Sequence, residues 1–390
     1  MGTVSPASTA WPHERSTRSA VLAQFGEART DLAGWALTTG DPLADAVVAE
    51  IHAGGGPVRS ALTTAIRDGL AAVTDPPPAV AALLTQTEAT PAYADDALLD
   101  AGCRPYFSSH PASRMIALSA GALVRTYSSP SIAAVLHTTG RLVEAADRRL
   151  LETGMWLNAA MLPGGLRRGA AGYVATLQVR MMHAHIRRHA RARGFDEAAH
   201  GAPINQIDLA RTWMDFTVTS YRAEQAMGFD RTPSEVAAAY RYWWHLAHLL
   251  GLDPRLTDGV SSHEQAAGVD ALLQAVTGPA SPVSAALADA SLASIARSLH
   301  EVVGVPVRIG RPALDALTRR FHGHGLGDDL GLPRATAADA LLGPAIAAVR
   351  WDHRRRRADP DAWRRVHETG MAAARGLLEQ PGEPPAFRTA

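Results

Sequence analysis

The 390-residue sequence contains no lysine, so all 38 basic residues are arginine. This excludes Schiff-base chemistry, a pyridoxal-phosphate anchor and the lysine of a phosphate-binding P-loop. A chain without lysine also points to GC-rich coding. The one cysteine, Cys103, excludes an internal disulfide framework and cysteine-rich zinc or iron–sulfur sites. No apolar run reaches the length of a membrane span, so no stable membrane insertion is expected. The opening segment MGTVSPASTAWPHERSTRSA has no apolar stretch of the secretory type, which sets the expectation of a cytoplasmic protein. The 38 acidic residues cancel the arginines, and this balance predicts no nucleic-acid partner. Period-2 strands are nearly absent too. Only VGVPVRIG, at 303–310, reads as a strand, which allows at most one minor strand pair.

Helix signals fill the rest. Hydrophobic residues make up 47% of the chain, ample for a large core. Asp41 followed by Pro42 reads as a cap and first helical residue. Thr232 and Glu235 read as a capping box, with Gly251 ending that helix and Pro254 beyond. Asn205 and Asp208 read as another helix start. These signals predict an all-α fold with one large helical domain over 22–376, between flexible segments 1–21 and 377–390.

The segment VRMMHAHIRRH, at 179–189, concentrates three histidines and three arginines. On a helix, Arg180, His183 and Arg187 share one face, whereas His185 and His189 share another. A neutral imidazole between arginines suits a haem, where arginines pair with propionates or fix the local charge. The other readings are a His185/His189 metal pair and a solvated polar face. Upstream, Arg149 and Thr153 are four apart on a helix over 139–158 that reads as buried nearly all round. A buried arginine needs an anion, either a local carboxylate (Glu144, Asp147, Glu152) or a cofactor carboxylate. Asp95, Asp96 and Asp100 admit a magnesium reading, against helix-start capping. His245 with His248 reads as packing, His322 with His324 as an exposed glycine-rich turn, and the basic run at 352–357 as a solvated helix end.

In order along the chain, GDPLADAVVAE, TGRL (139–142), RLLET with Arg149 and Thr153, VRMMHAHIR, GAPINQIDLARTWMDF, LGL and GDDLGLP resemble the MpaB/rubber-oxygenase catalytic-domain family over about residues 30–335. That resemblance implies an all-α fold enclosing one non-covalent b-type haem per chain. It implies His183 as the axial iron ligand and Arg149 with Thr153 in the haem pocket, and Arg180 and Arg187 are expected beside the cofactor. Glu152 stands where the family's rubber-cleaving members have a lysine, and 131–138 (SIAAVLHT) offers no counterpart to their upstream glutamate. Arg149, Thr153 and Glu152 are therefore the expected catalytic group. The expected activity is that of a haem-dependent oxygenase that uses O₂ on a small apolar, unsaturated metabolite, with C=C cleavage as one outcome and an electron donor or a second copy as partner. The alternatives are a haem-binding sensor or carrier without turnover, and a haem-free magnesium enzyme.

Overall fold

The computed structural model describes residues 11–101, 104–138, 146–257 and 259–379. The TGRL segment, Glu144 and Cys103 lie outside the described residues. Eight helices frame the site and are numbered here in chain order. They are α1 (Pro42–Gly54), α2 (Pro78–Glu88), α3 (Ala146–Met161), α4 (Ala171–Ala192), α5 (Gln206–Met214), α6 (Pro233–Leu249), α7 (Pro282–Val303) and α8 (Val307–Asp329).

Their starts follow from side-chain chemistry. Asp41 Oδ1 accepts from the Ala44 N–H at 3.2 Å, with Pro42 at the first helical position of α1. Asn205 Oδ1 accepts from the Asp208 N–H at 3.0 Å to open α5. At α6 the Glu235 carboxylate accepts from the Thr232 N–H at 2.8 Å while Thr232 Oγ1 accepts from the Glu235 N–H at 3.2 Å, satisfying two end donors reciprocally.

No strand occurs among the described residues, and the VGVPVRIG expectation is corrected. Val303 is the last residue of α7, and Gly304 takes the left-handed conformation (φ 74°), its N–H donating to the His300 carbonyl at 3.0 Å. Pro306 then precedes α8. A helix C-cap followed by a helix start places apolar residues alternately, which imitates strand periodicity.

The main core joins Val47, Val48 and Ile51 of α1, Leu83 and Leu84 of α2, Leu157 and Met161 of α3, and Leu177 and Met181 of α4, with Trp213, Trp243 and Leu246 beyond. Each large side chain so buried contributes about 1.5–3 kcal/mol relative to exposure. A smaller cluster, including Leu292, Ile295 and Leu314, joins α7 to α8. No helix among the described residues is long and apolar enough to cross a membrane.

Two segments, Ala117–Leu123 and Asp215–Thr219, widen into π-helix and pack on one another. Between their helices lies a buried ionic network. Arg125 bonds Asp215 and Asp270, each at 2.6 Å, and Thr126 donates to Asp215 at 2.9 Å. Nothing in residue spacing announces either widening, because a π turn is a one-residue insertion in a helical pattern.

Candidate functional site

Helices α3 and α4 form a hairpin whose spacing is set by two glycines. A Cβ at Gly172 would lie 2.5 Å from the Ala159 carbonyl oxygen and 2.6 Å from the Ala160 Cα, and one at Gly165 would meet the Ala159 carbonyl oxygen closer still. Only glycine permits this approach. Four residues further from the turn on each helix, the Trp156 indole N–H donates to Thr176 Oγ1 at 3.0 Å. Each step back along α3 thus matches an equal step forward along α4. Arg149 and His183 each lie seven residues, about 10.5 Å of helix, beyond this hydrogen bond on their own helices.

On α4, Arg180 and Arg187 reach toward α1. Arg180 is 2% exposed. Its Nε and Nη2 donate to the two oxygens of Asp41 at 2.6 and 3.1 Å, and Nη1 donates to Gln86 Oε1 at 2.6 Å and the Leu249 carbonyl at 3.3 Å. Arg187, 1% exposed, donates from Nε to Asp45 Oδ1 at 2.7 Å and from Nη1 to the Ile204 carbonyl at 3.5 Å. Its Nη2 is buried with no hydrogen-bond partner among the described residues. All three guanidinium nitrogens of Arg180 are therefore engaged by protein, while Arg187 keeps one inward donor. Sequence reasoning placed both beside the cofactor and read Asp41 only as a helix cap. The structure gives Asp41 a second role as the carboxylate that neutralises Arg180.

These ion pairs explain why distant sequence segments cluster. The Gln206 side chain donates to the carbonyls of Gly40 at 2.7 Å and Gly251 at 3.0 Å and accepts from the Asp253 N–H at 2.8 Å. A Cβ at Gly40 would come within 2.8 Å of Arg187 Cδ, and one at Gly251 (φ +75°) within 2.7 Å of Arg180 Nε. Gln206 thus clamps the two glycines that make room for the two buried arginines. Beside it, Ile204 holds a left-handed backbone (φ 49°), a conformation a β-branched residue adopts only under strain.

Between the two arginines along α4 stands His183. Its ring is half-buried, and Nδ1 is sealed from solvent without a hydrogen-bond partner among the described residues. Burial first, and then the positive charge of Arg187, hold its pKa down to about 4, with Asp41 opposing. At neutral pH the imidazole is therefore uncharged, the form that ligates a metal.

The α3 side departs from its expected burial. Leu151 is 51% exposed, and Arg148, itself exposed, donates to Glu152 at 2.7 Å. The Glu152 carboxylate is therefore held in a one-turn ion pair near the surface. Arg149 and Thr153 are half-buried. Arg149 stands close enough to Tyr127 for its charge to act on the phenol, whose pKa burial raises and Arg149 lowers. Trp156 meets Phe216 edge-on at 6.5 Å, and Phe216 meets Trp243 at 6.3 Å, so the wall beyond Thr153 is aromatic.

The remaining motifs are placed as follows. His185 is half-buried near His52, Arg59 and Arg188, and His189 is exposed. Asp95 starts the helix Asp96–Ala101 by accepting from the Leu98 N–H at 2.7 Å, and Arg167 bonds Asp96 and Asp100 at 2.5 and 3.1 Å. His322 does not sit in an exposed turn. It belongs to α8, which kinks at Gly323, and it bonds the Ala120 carbonyl at 3.1 Å. His353, in the basic run, is buried against the Asp230 carbonyl at 2.9 Å.

No curated protein sequence matches the chain. Among solved structures, it is similar to latex clearing protein LCP in the closed state, with a TM-score of 0.64 over 93% of this chain and 94% of that one. At 18% identity, that likeness shows the fold. Residues 107–351 match the model of the ER-bound oxygenase mpaB/B′/rubber oxygenase catalytic domain, and with well over half of the chain inside the match, the protein belongs to this oxygenase family.

Proposed function

We propose that the protein is a haem b-dependent oxygenase, with one haem per chain and His183 as the protein's ligand to the iron, acting on a small apolar, unsaturated metabolite. The observation that carries this reading is the state of His183: neutral, with a ring nitrogen sealed from solvent and unpartnered among the described residues, on a helix whose two buried arginines are each held by a carboxylate. A single imidazole suffices for iron in a porphyrin, which brings four nitrogens of its own. Haem, once held, supplies O₂ binding and activation.

This chain's residues supply the rest. Asp41 and Asp45 fix α4 through Arg180 and Arg187, and so fix the height and rotation of His183. Arg187 Nη2 is the inward donor available to a propionate. Arg149 and Thr153, one turn apart on α3 and both half-buried, are the polar groups this helix would offer to the pocket. The Trp156–Phe216 pair offers an apolar wall to the substrate. Glu152, paired with Arg148, places a carboxylate where rubber-cleaving relatives are expected to carry a lysine, so the reaction is expected to differ from rubber cleavage.

The test is the absorption spectrum of the purified protein and of His183→Ala. The wild type is expected to show a Soret band that shifts on reduction and again with CO. His183→Ala is expected to lose it or shift it strongly, and an unchanged spectrum in the variant overturns the ligand assignment. Steady-state O₂ uptake with an alkene then separates turnover from a sensor or carrier role.

A further inference from the structure

The site leaves a line of buried aromatic side chains unexplained. It starts at the Trp156–Phe216 wall, where the ring centroids are 6.5 Å apart, and passes from Phe216 to Trp243 on α6 at 6.3 Å. The Trp243 indole N–H donates to the Tyr221 hydroxyl at 3.0 Å. Tyr221, in the helix Ser220–Ala226, meets Tyr240 edge-on at 6.4 Å. The Tyr240 hydroxyl lies 3.0 Å from Nδ1 of His263, the first residue of the helix His263–Thr277. Phe216, Trp243, Tyr221 and Tyr240 are at most 6% exposed, whereas His263 is half-buried. The line therefore runs from the wall of the proposed pocket through dry interior to the edge of the molecule.

Its two tyrosines are set differently. The Arg231 guanidinium sits 4.5 Å over the Tyr221 ring, and a cation over a π face disfavours removal of an electron from it. Tyr240 instead faces an imidazole. Burial pushes the Tyr240 phenol pKa up, with Tyr221 and Asp270 adding and Arg222 opposing, so its proton leaves only where an acceptor is at hand. His263 is that acceptor. Burial, then Arg222 and Arg231, hold its pKa down to about 4, so at neutral pH the ring is uncharged, and in the Nε2–H tautomer Nδ1 accepts from the phenol. An oxidised phenol is a far stronger acid than imidazolium, so even this weak base takes the proton. We propose that Tyr240 and His263 form a one-electron oxidation site, reached from the Trp156 wall through Trp243 and Tyr221, that draws oxidising equivalents out of the pocket when oxygen activation uncouples. The oxidant is the haem after reaction with a peroxide, and it gains one electron. Tyr240 loses that electron, its O–H bond breaks, and the proton bonds to His263 Nδ1. A small reductant of the thiol or ascorbate class then returns an electron to the phenoxyl radical, and His263 returns the proton. The purpose of the site rests on the haem reading, but the oxidation site itself does not.

The experiment uses the purified full chain and two oxidants. Photogenerated tris(bipyridine)ruthenium(III) needs no haem. With it, the wild type is expected to give a long-lived tyrosyl radical in electron paramagnetic resonance, formed more slowly in D₂O because the proton moves with the electron. Tyr240→Phe is expected to lose that signal. His263→Gln keeps a hydrogen-bond acceptor but no basic nitrogen, and is expected to lose it too, which a merely structural hydrogen bond would not cause. Urea midpoints check that each variant folds, and where one does not, the other decides. Tyr93→Phe, at a ring packed on Trp244 outside the line, is the control and is expected to match the wild type. An unchanged long-lived signal in a folded Tyr240→Phe or His263→Gln overturns the proposal. Hydrogen peroxide, given to the haem-loaded chain, is the second oxidant. The same Tyr240 signal is expected, and the Soret band should bleach faster in Tyr240→Phe than in the wild type. A signal with ruthenium but none with peroxide overturns the path from the pocket. If the chain carries no haem, the function proposal fails there, and the ruthenium arm alone decides the oxidation site.

Discussion

Helix α4 presents the same residue types on two faces with opposite consequences. On the inner face Arg180 and Arg187 are 1–2% exposed, each held by a carboxylate of α1, and His183 stands between them with a suppressed pKa. On the outer face Arg188 and His189 are exposed, and the ion pair of Arg191 with Glu197 joins side chains 43–44% exposed. Burial decides what a charge is for. A guanidinium inside must be neutralised and then locks geometry, whereas one outside is solvated, contributes little to stability and remains free to meet a partner.

Breaking the inner side should have the largest effect. Arg180→Ala strands Asp41 as a buried charge and is expected to cost about 3–5 kcal/mol, read as a lowered denaturation midpoint with an unchanged slope. Gly172→Ala tests the hairpin spacing. Its methyl group meets backbone atoms that cannot turn aside, and an overpacking cost of about 1–3 kcal/mol is expected in urea unfolding. Acid sharpens the comparison next. His245, His263 and His322 are each held to about 4, chiefly by burial. The unfolded chain takes up their protons from about pH 6.5 downward while the folded chain resists until about 4, so stability falls as pH falls through that window. His245→Gln, at a ring 3% exposed, should flatten the slope of unfolding free energy against pH. The outer face should give the smallest effect. Arg188→Ala is expected to leave stability within about 0.5 kcal/mol of the wild type, and a larger loss would mean that this face is structural.

Much of this was legible because it is local. The caps at Asp41, Asn205 and Thr232 depend on residues three apart, and the split of 179–189 into two faces depends only on helical geometry. What was illegible is non-local. That Asp41 and Arg180 meet across 139 residues of chain, or that Gln206 ties Gly40 to Gly251, leaves no mark in spacing. The family resemblance drew on those very segments, GDPLAD, VRMMH, PINQ and LGL, and the structure supplies the reason: they build one polar cluster. The VGVPVRIG misreading has the converse cause, since a cap followed by a helix start shares its short-range alternation with a strand.

The glycine-set hairpin of α3 and α4 behaves as a vernier. One residue inserted in α4 between Thr176 and His183 turns everything beyond it by about 100°. Such an insertion would turn His183 off its present face and carry Arg187 off Asp45. Length variation in descendants of this chain should therefore collect in the loops, and the eight residues from Thr176 to His183 should remain free of insertions and deletions even where their identities drift.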